Sequence, residues 1–220
     1  MGYLPYYLIP IAAGYLLRYP VLLVGILLIF VVRRWLPDPY LFLKHARRVR
    51  SLKSEIAANP DNATARRDLA RIWLEKRRPR RALPLIEEAR RRDPDSAELT
   101  FLLGKALFLA GRADDALAPL VESAHKNERY HYGEAYLIAG RALAALARHA
   151  EAEDAFARYL DINSSSVEGQ VRLARARRAQ ANHDGAEQAR RAALETFAHL
   201  PRFRRRAELG WYLRARLGLT

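Results

Sequence analysis

Four basic side chains, Arg71, Lys105, Arg141 and Arg175, recur at steps of 34, 36 and 34 residues. Cations at a fixed interval do no covalent chemistry of their own; they recognise carboxylates or phosphates through charge-assisted hydrogen bonds. Seven residues before the last three stand Glu98, Glu134 and Glu168, with Thr64 before the first. Four residues before the cations stand Arg67, Phe101, Leu137 and Val171, and three residues after Lys105 and Arg175 stand Phe108 and Arg178. Residue types able to do bond chemistry are not so arranged. The six histidines (His45, His125, His131, His149, His183, His199) contain no pair four residues apart on a helix. Glu87-Glu88 and Asp114-Asp115 are sequence neighbours, which diverge on a helix and form no carboxylate dyad. Neither a Gly-rich phosphate cradle nor a G-x-S-x-G or H-E-x-x-H motif occurs, and there is no cysteine. The residues therefore point to binding; no enzymatic activity, metal or cofactor is expected.

The elements that carry this pattern repeat with it. NPDNA at 59–63 is echoed by DPDSA at 93–97. On the same register LARIW (69–73), LGKAL (103–107), AGRAL (139–143) and LARAR (173–177) align. Second elements come next, with Ala82-x3-Ile86, Ala116-x3-Leu120, Ala152-x3-Phe156 and Ala186-x3-Arg190. Apolar spacing within each block is helical. The cations lie on the face turned away from the packed one. Pro84 and Pro119 fall late in the second elements, where a kink or a delayed helix start is expected. The last block carries Arg177 and Arg190 where the earlier ones are apolar. Residues 202–217 form a further helix whose expected buried face is Trp211, Leu213 and Leu217.

This pattern resembles the tetratricopeptide repeat family, a 34-residue helix–turn–helix with a small residue where the two helices meet. Ala70, Gly104, Gly140 and Ala174 hold that place. The resemblance implies an all-α, right-handed solenoid with a concave groove that binds protein segments. Its groove would be lined by Arg67, Arg71, Phe101, Lys105, Phe108, Leu137, Arg141, Val171, Arg175 and Arg178. A partner carrying acidic groups and a few apolar anchors suits such a surface. Pairing of some of these cations with the preceding repeat's acids is the competing expectation. The segment KNERYHYG (126–133), in the longer link, is a second candidate contact point.

The N-terminal region reads differently. Residues 1–32 carry one charged side chain, Arg18, and Val21–Val32 is an unbroken apolar run. A helix over 13–32 meets the length of one membrane span if Arg18 reaches the headgroups. Arg18, Arg33, Arg34 and Trp35 would mark the interfaces. Residues 33–53 hold seven basic groups and one acid. That excess predicts a cytoplasmic repeat region and an N-terminus outside, as in a bacterial inner membrane protein. The expected organisation is a membrane segment (1–36), a basic connecting helix (37–59), about four repeats (63–96, 97–132, 133–166, 167–200) and a capping helix (201–220).

Formal charge is +14. The basic stretch after the span favours anionic lipid, and the Arg202–Arg206 cluster could meet lipid, an acidic partner or RNA. Aromatic residues are not interleaved with the arginines of 165–206, which disfavours nucleic acid. The function expected is a membrane-anchored adaptor or scaffold that binds a protein partner and helps assemble an envelope complex. The alternatives are an RNA- or lipid-binding repeat protein, or a structural subunit held through its membrane segment.

Overall fold

The computed structural model describes residues 39–219. The span expected over 13–32, with Arg18, Arg33, Arg34 and Trp35, lies outside them. Among the described residues no helix is long and apolar enough to cross a membrane. The chain divides into two units at Ser51, and most of the described residues belong to the second, Leu52–Thr220. Helix α1 (Pro39–Ala58) runs through the boundary and stops before Asn59-Pro60.

The second unit is a chain of helical hairpins: α2 (Ala63–Glu75) with α3 (Pro79–Arg92), α4 (Ala97–Leu109) with α5 (Ala113–Lys126), α6 (Glu134–Ala145) with α7 (His149–Ile162), and α8 (Val167–Ala179) with α9 (His183–His199). Helix α10 (Arg202–Arg216) comes last, and each helix packs on the next. Side-chain caps start three of the four first helices: Asn62 Oδ1 accepts from Ala65 N–H, Ser96 Oγ from Leu99 N–H and Ser166 Oγ from Gly169 N–H. One turn geometry ends them all. Arg77, Gly111, Ala147 and Ala181 have positive φ. The next N–H reaches back five residues each time, from Arg78 to Trp73, Arg112 to Leu107, Arg148 to Leu143 and Asn182 to Arg177. That bond satisfies a terminal carbonyl and reverses the chain within three residues.

Close approach of the paired helices depends on the small residues. A Cβ on Gly104 would lie 2.6 Å from Leu120, and one on Gly140 would lie 2.6 Å from the Phe156 ring. Ala70, Ala174 and the second-helix alanines Ala82, Ala116, Ala152 and Ala186 are buried in the same way. Each hairpin alone leaves its apolar faces half covered, so stacking is what completes the core.

Three local expectations are corrected or filled in. Helices α3 and α5 start at Pro79 and Ala113 and run through Pro84 and Pro119, so neither starts late. The carbonyls that lose a helical donor belong to Arg80 and Asp115, both exposed, where water can donate instead. Arg177 and Arg190 are held by polar contacts: Arg177 donates to Glu153 at 2.7 Å, and Arg190 to Glu187 at 2.7 Å and to the Ala215 carbonyl at 3.1 Å. On α10 the buried face is Ala215 and part of Trp211; Leu213 and Leu217 are 45% and 70% exposed. Trp211 and Leu213 lie about 200° apart on a helix, so one face cannot bury both.

Candidate functional site

The first helices α2, α4, α6 and α8 carry the recurring cations, and the two that meet an acid, Arg71 and Lys105, take it from the next repeat and not from the preceding one. Arg71 pairs with Glu98, and Arg67 reaches the same carboxylate at 3.4 Å. Lys105 Nζ lies 2.7 Å from Glu134 Oε1. Glu168 is instead taken by Arg172, 2.7 Å away on its own helix. Arg175 donates to the Leu219 carbonyl at 2.7 Å and Arg178 to the Gly218 carbonyl at 3.1 Å, which ties the C-terminal residues across α8. In the first two steps, then, the acid seven residues before a cation serves the cation of the preceding repeat.

Arg141 differs from the other rungs. Its guanidinium lies over the Phe108 ring, 4.8 Å from the centroid. Among the described residues no carboxylate is within ion-pair distance of it. Burial lowers its pKa first and the neighbouring Arg172 charge adds to that, while Glu168 and Glu134 oppose it from further away. Arg175 is shifted the same way, by burial and then by Arg214 and Arg172. This end of the array therefore holds several cations with too few acids.

The apolar residues expected beside the ladder are largely spent on the fold. Phe101, Leu137 and Val171 are 2%, 8% and 0% exposed, so they are packing residues rather than contacts for a ligand. Phe108 is half-buried and Leu109 exposed. Phe101 is covered by the link between repeats two and three, a 3-10 turn over Tyr130–Gly133. Tyr130 packs edge-on against Phe101 with centroids 5.4 Å apart, and His131 stacks on it at 5.9 Å. The Arg71 guanidinium donates to the Tyr130 hydroxyl at 3.3 Å, joining residues 59 apart in sequence. Burial raises the Tyr130 pKa, against the Arg71 hydrogen bond. On Arg71 burial acts downward, and Tyr130 and Glu98 more than reverse it. The cleft left between Arg71, Phe101, Lys105, Tyr130 and His131 is about 210 Å³. A second cleft of about 430 Å³ opens beside α5, α6 and α7, floored by Leu117 and Leu120 and rimmed by Arg148, Asp154 and Arg158.

Sequence reasoning did not assign Tyr130 to this face. The available signal was the 36-residue step, which places two extra residues in that link. Among the described residues no group of three or more His, Asp or Glu side chains is placed to hold a metal ion.

Residues 74–127 match the family model for the tetratricopeptide repeat. No curated protein matches the chain. Solved structures do. A crystal structure of MamA is 22% identical, with a TM-score of 0.63, covering 67% of this chain and 85% of that one. YrrB, a TPR protein with an unusual peptide-binding site, is 19% identical at a TM-score of 0.61, covering 70% and 79%. A thermophilic TPR protein of Thermus thermophilus is 20% identical at a TM-score of 0.59, covering 82% and 93%. With helix bounds, small-residue contacts and turn geometry all on one register, the array from Ala63 to His199 has the tetratricopeptide-repeat fold.

Proposed function

We propose that this chain is a membrane-anchored adaptor whose concave face takes an acidic segment of a protein partner and holds it at an envelope complex. The span over 13–32 supplies the anchor, and the positive charge after it puts the array on the cytoplasmic side. One observation carries the binding half of this reading: Arg141, half-buried over Phe108, has no carboxylate of its own among the described residues. A partner carboxylate at that point answers a charge that the fold leaves unanswered. Phe108 and Leu109 offer apolar contact beside it, in place of the buried Phe101, Leu137 and Val171. The solved relative with a peptide-binding site supports the mode of binding, and the repeat fold typically serves protein interaction rather than catalysis.

The test is affinity purification of the full chain in detergent, wild type beside Arg141→Ala, and then titration with peptides from the captured protein. A charge-assisted contact of this kind contributes about 1.5–3 kcal/mol, so the variant should bind roughly 10- to 150-fold more weakly. Unchanged affinity in a variant with the wild-type melting temperature would sink the groove reading.

A further inference from the structure

The outward face of α10 has no role in the array. Turning each residue by 100° puts Arg204, Glu208, Trp211 and Ala215 on one side and Leu209, Leu213 and Leu217 on the other, with Arg202 and Arg206 continuing the second stripe. The inner side is engaged. Arg204 donates to Ser165 Oγ at 2.9 Å, Glu208 accepts from the Glu168 N–H at 3.3 Å, and Trp211 packs with the cluster of Val167, Val171 and Ala193. Arg205 donates to the Leu200 and Ala198 carbonyls, both at 2.8 Å, closing the end of α9. The outer side is bare. Leu209 is 47% exposed and Phe203, at the start of the helix, 78%. Arg202 and Arg206 are exposed, and among the described residues their side chains make no hydrogen bond or ion pair.

We propose that this face docks on an anionic lipid surface, with the leucines in the headgroup–acyl boundary and the arginines on lipid phosphates. The fold gains nothing from these two arginines. They sit in the first turns of α10, where the helix dipole favours acids. Their charge therefore answers something outside the chain. A second copy on the same face would cover the leucines but bring the arginines no carboxylate, because this face carries none. RNA would satisfy the arginines and leave the leucine stripe in water. A bilayer with anionic headgroups satisfies both chemistries at once, apolar face inward and basic residues at the phosphate level. This docking is independent of the concave face.

The chain has no cysteine, so a single Leu213→Cys carries one environment-sensitive fluorophore. The full chain is reconstituted into vesicles of phosphatidylcholine, with or without phosphatidylglycerol, containing acyl-chain spin-labelled quencher. A second preparation carries the probe at Val121→Cys on α5, also exposed. The expected result is quenching at position 213 in the anionic vesicles at low salt, and little at 121 or in phosphatidylcholine alone. Each basic residue near a charged surface is worth about fivefold in partition, so Arg202→Glu with Arg206→Glu should lower the docking equilibrium constant by at least roughly 20-fold. Glutamate at a helix start favours the helix, and an unchanged circular dichroism spectrum confirms folding. Anchoring through another part of the chain does not mimic the signal, because the quencher reads position 213 itself. Absence of quenching there, or equal quenching at 121, overturns the proposal. So does a shift at 213 that needs an added acidic peptide or RNA and not the vesicles. Arg141→Ala should leave the quenching intact, which separates this face from the groove.

Discussion

Two residues seven apart in the third repeat show how backbone and packing pull in opposite directions. Gly140 lies where a Cβ would press on three atoms of the Phe156 ring at 2.6 to 2.9 Å, and Phe156 is fully buried, with no room to turn. Ala147 ends the same helix with φ near +59, a conformation that strains a Cβ. Gly140→Ala should therefore destabilise the array by about 1–3 kcal/mol. Ala147→Gly should stabilise it. Left-handed backbone costs an alanine about 1–2 kcal/mol, and the extra freedom of glycine in the unfolded chain returns about 0.4–1 kcal/mol of that. The net gain is about 0.5–1 kcal/mol. Urea unfolding of the two variants reads both signs. A lowered midpoint for Ala147→Gly would show that the turn is not strained. The equivalent place in the second repeat is already Gly111, with φ of +83.

At the scale of elements, α10 and the start of α8 are coupled through one carboxylate. Glu208 accepts from the Glu168 N–H beside Arg204, and burial raises its pKa, with the Glu168 charge adding to the rise. A raised folded pKa means that this group supports the docked helix most below the ordinary carboxylate value of 4.5. That support is lost as pH rises through the raised value. Glu208→Gln keeps an acceptor for the same N–H and cannot ionise, so its melting temperature relative to wild type should be higher at pH 7 than at pH 4. A difference that stays flat between the two pH values would remove burial as the cause. Element identity was legible in the sequence here because helices, turns and close contacts recur on one period. Ala70, Gly104, Gly140 and Ala174 announce the close contacts. Which charge meets which was not legible. Lys105 and Glu134 are 29 residues apart, and Arg71 and Tyr130 are 59 apart. Such pairings arise from how repeats stack, which no local spacing encodes. The same holds for Phe101, which its position in the repeat assigns to the groove and which the 3-10 turn covers.

For the molecule as a whole, a repeat array has two ends, and each must be closed by something with one apolar side and one side suited to its surroundings. At the C-terminal end that piece is α10, and its two sides make different demands. Trp211 sits inward with the Arg172 and Arg214 guanidinium groups 4.6 and 4.4 Å from its ring centroid, beside a cluster containing the fully buried Val167, Val171 and Ala193. Removing it uncovers the end of the core. Trp211→Ala should cost about 2–4 kcal/mol, within the range for large-to-small changes at partly buried sites. For an array of this size that lowers the melting temperature by roughly 4–16 °C. Leu213→Ser, two residues on, changes the outer face only and should stay within about 0.5 kcal/mol of wild type. Thermal melts of the two variants decide between this arrangement and the one expected from apolar content alone, in which Leu213 is buried with Trp211. Comparable losses would put Leu213 in the core and remove the free leucine stripe. Loss confined to Trp211 leaves one helix that closes the fold with one side and has the other available for a surface outside it.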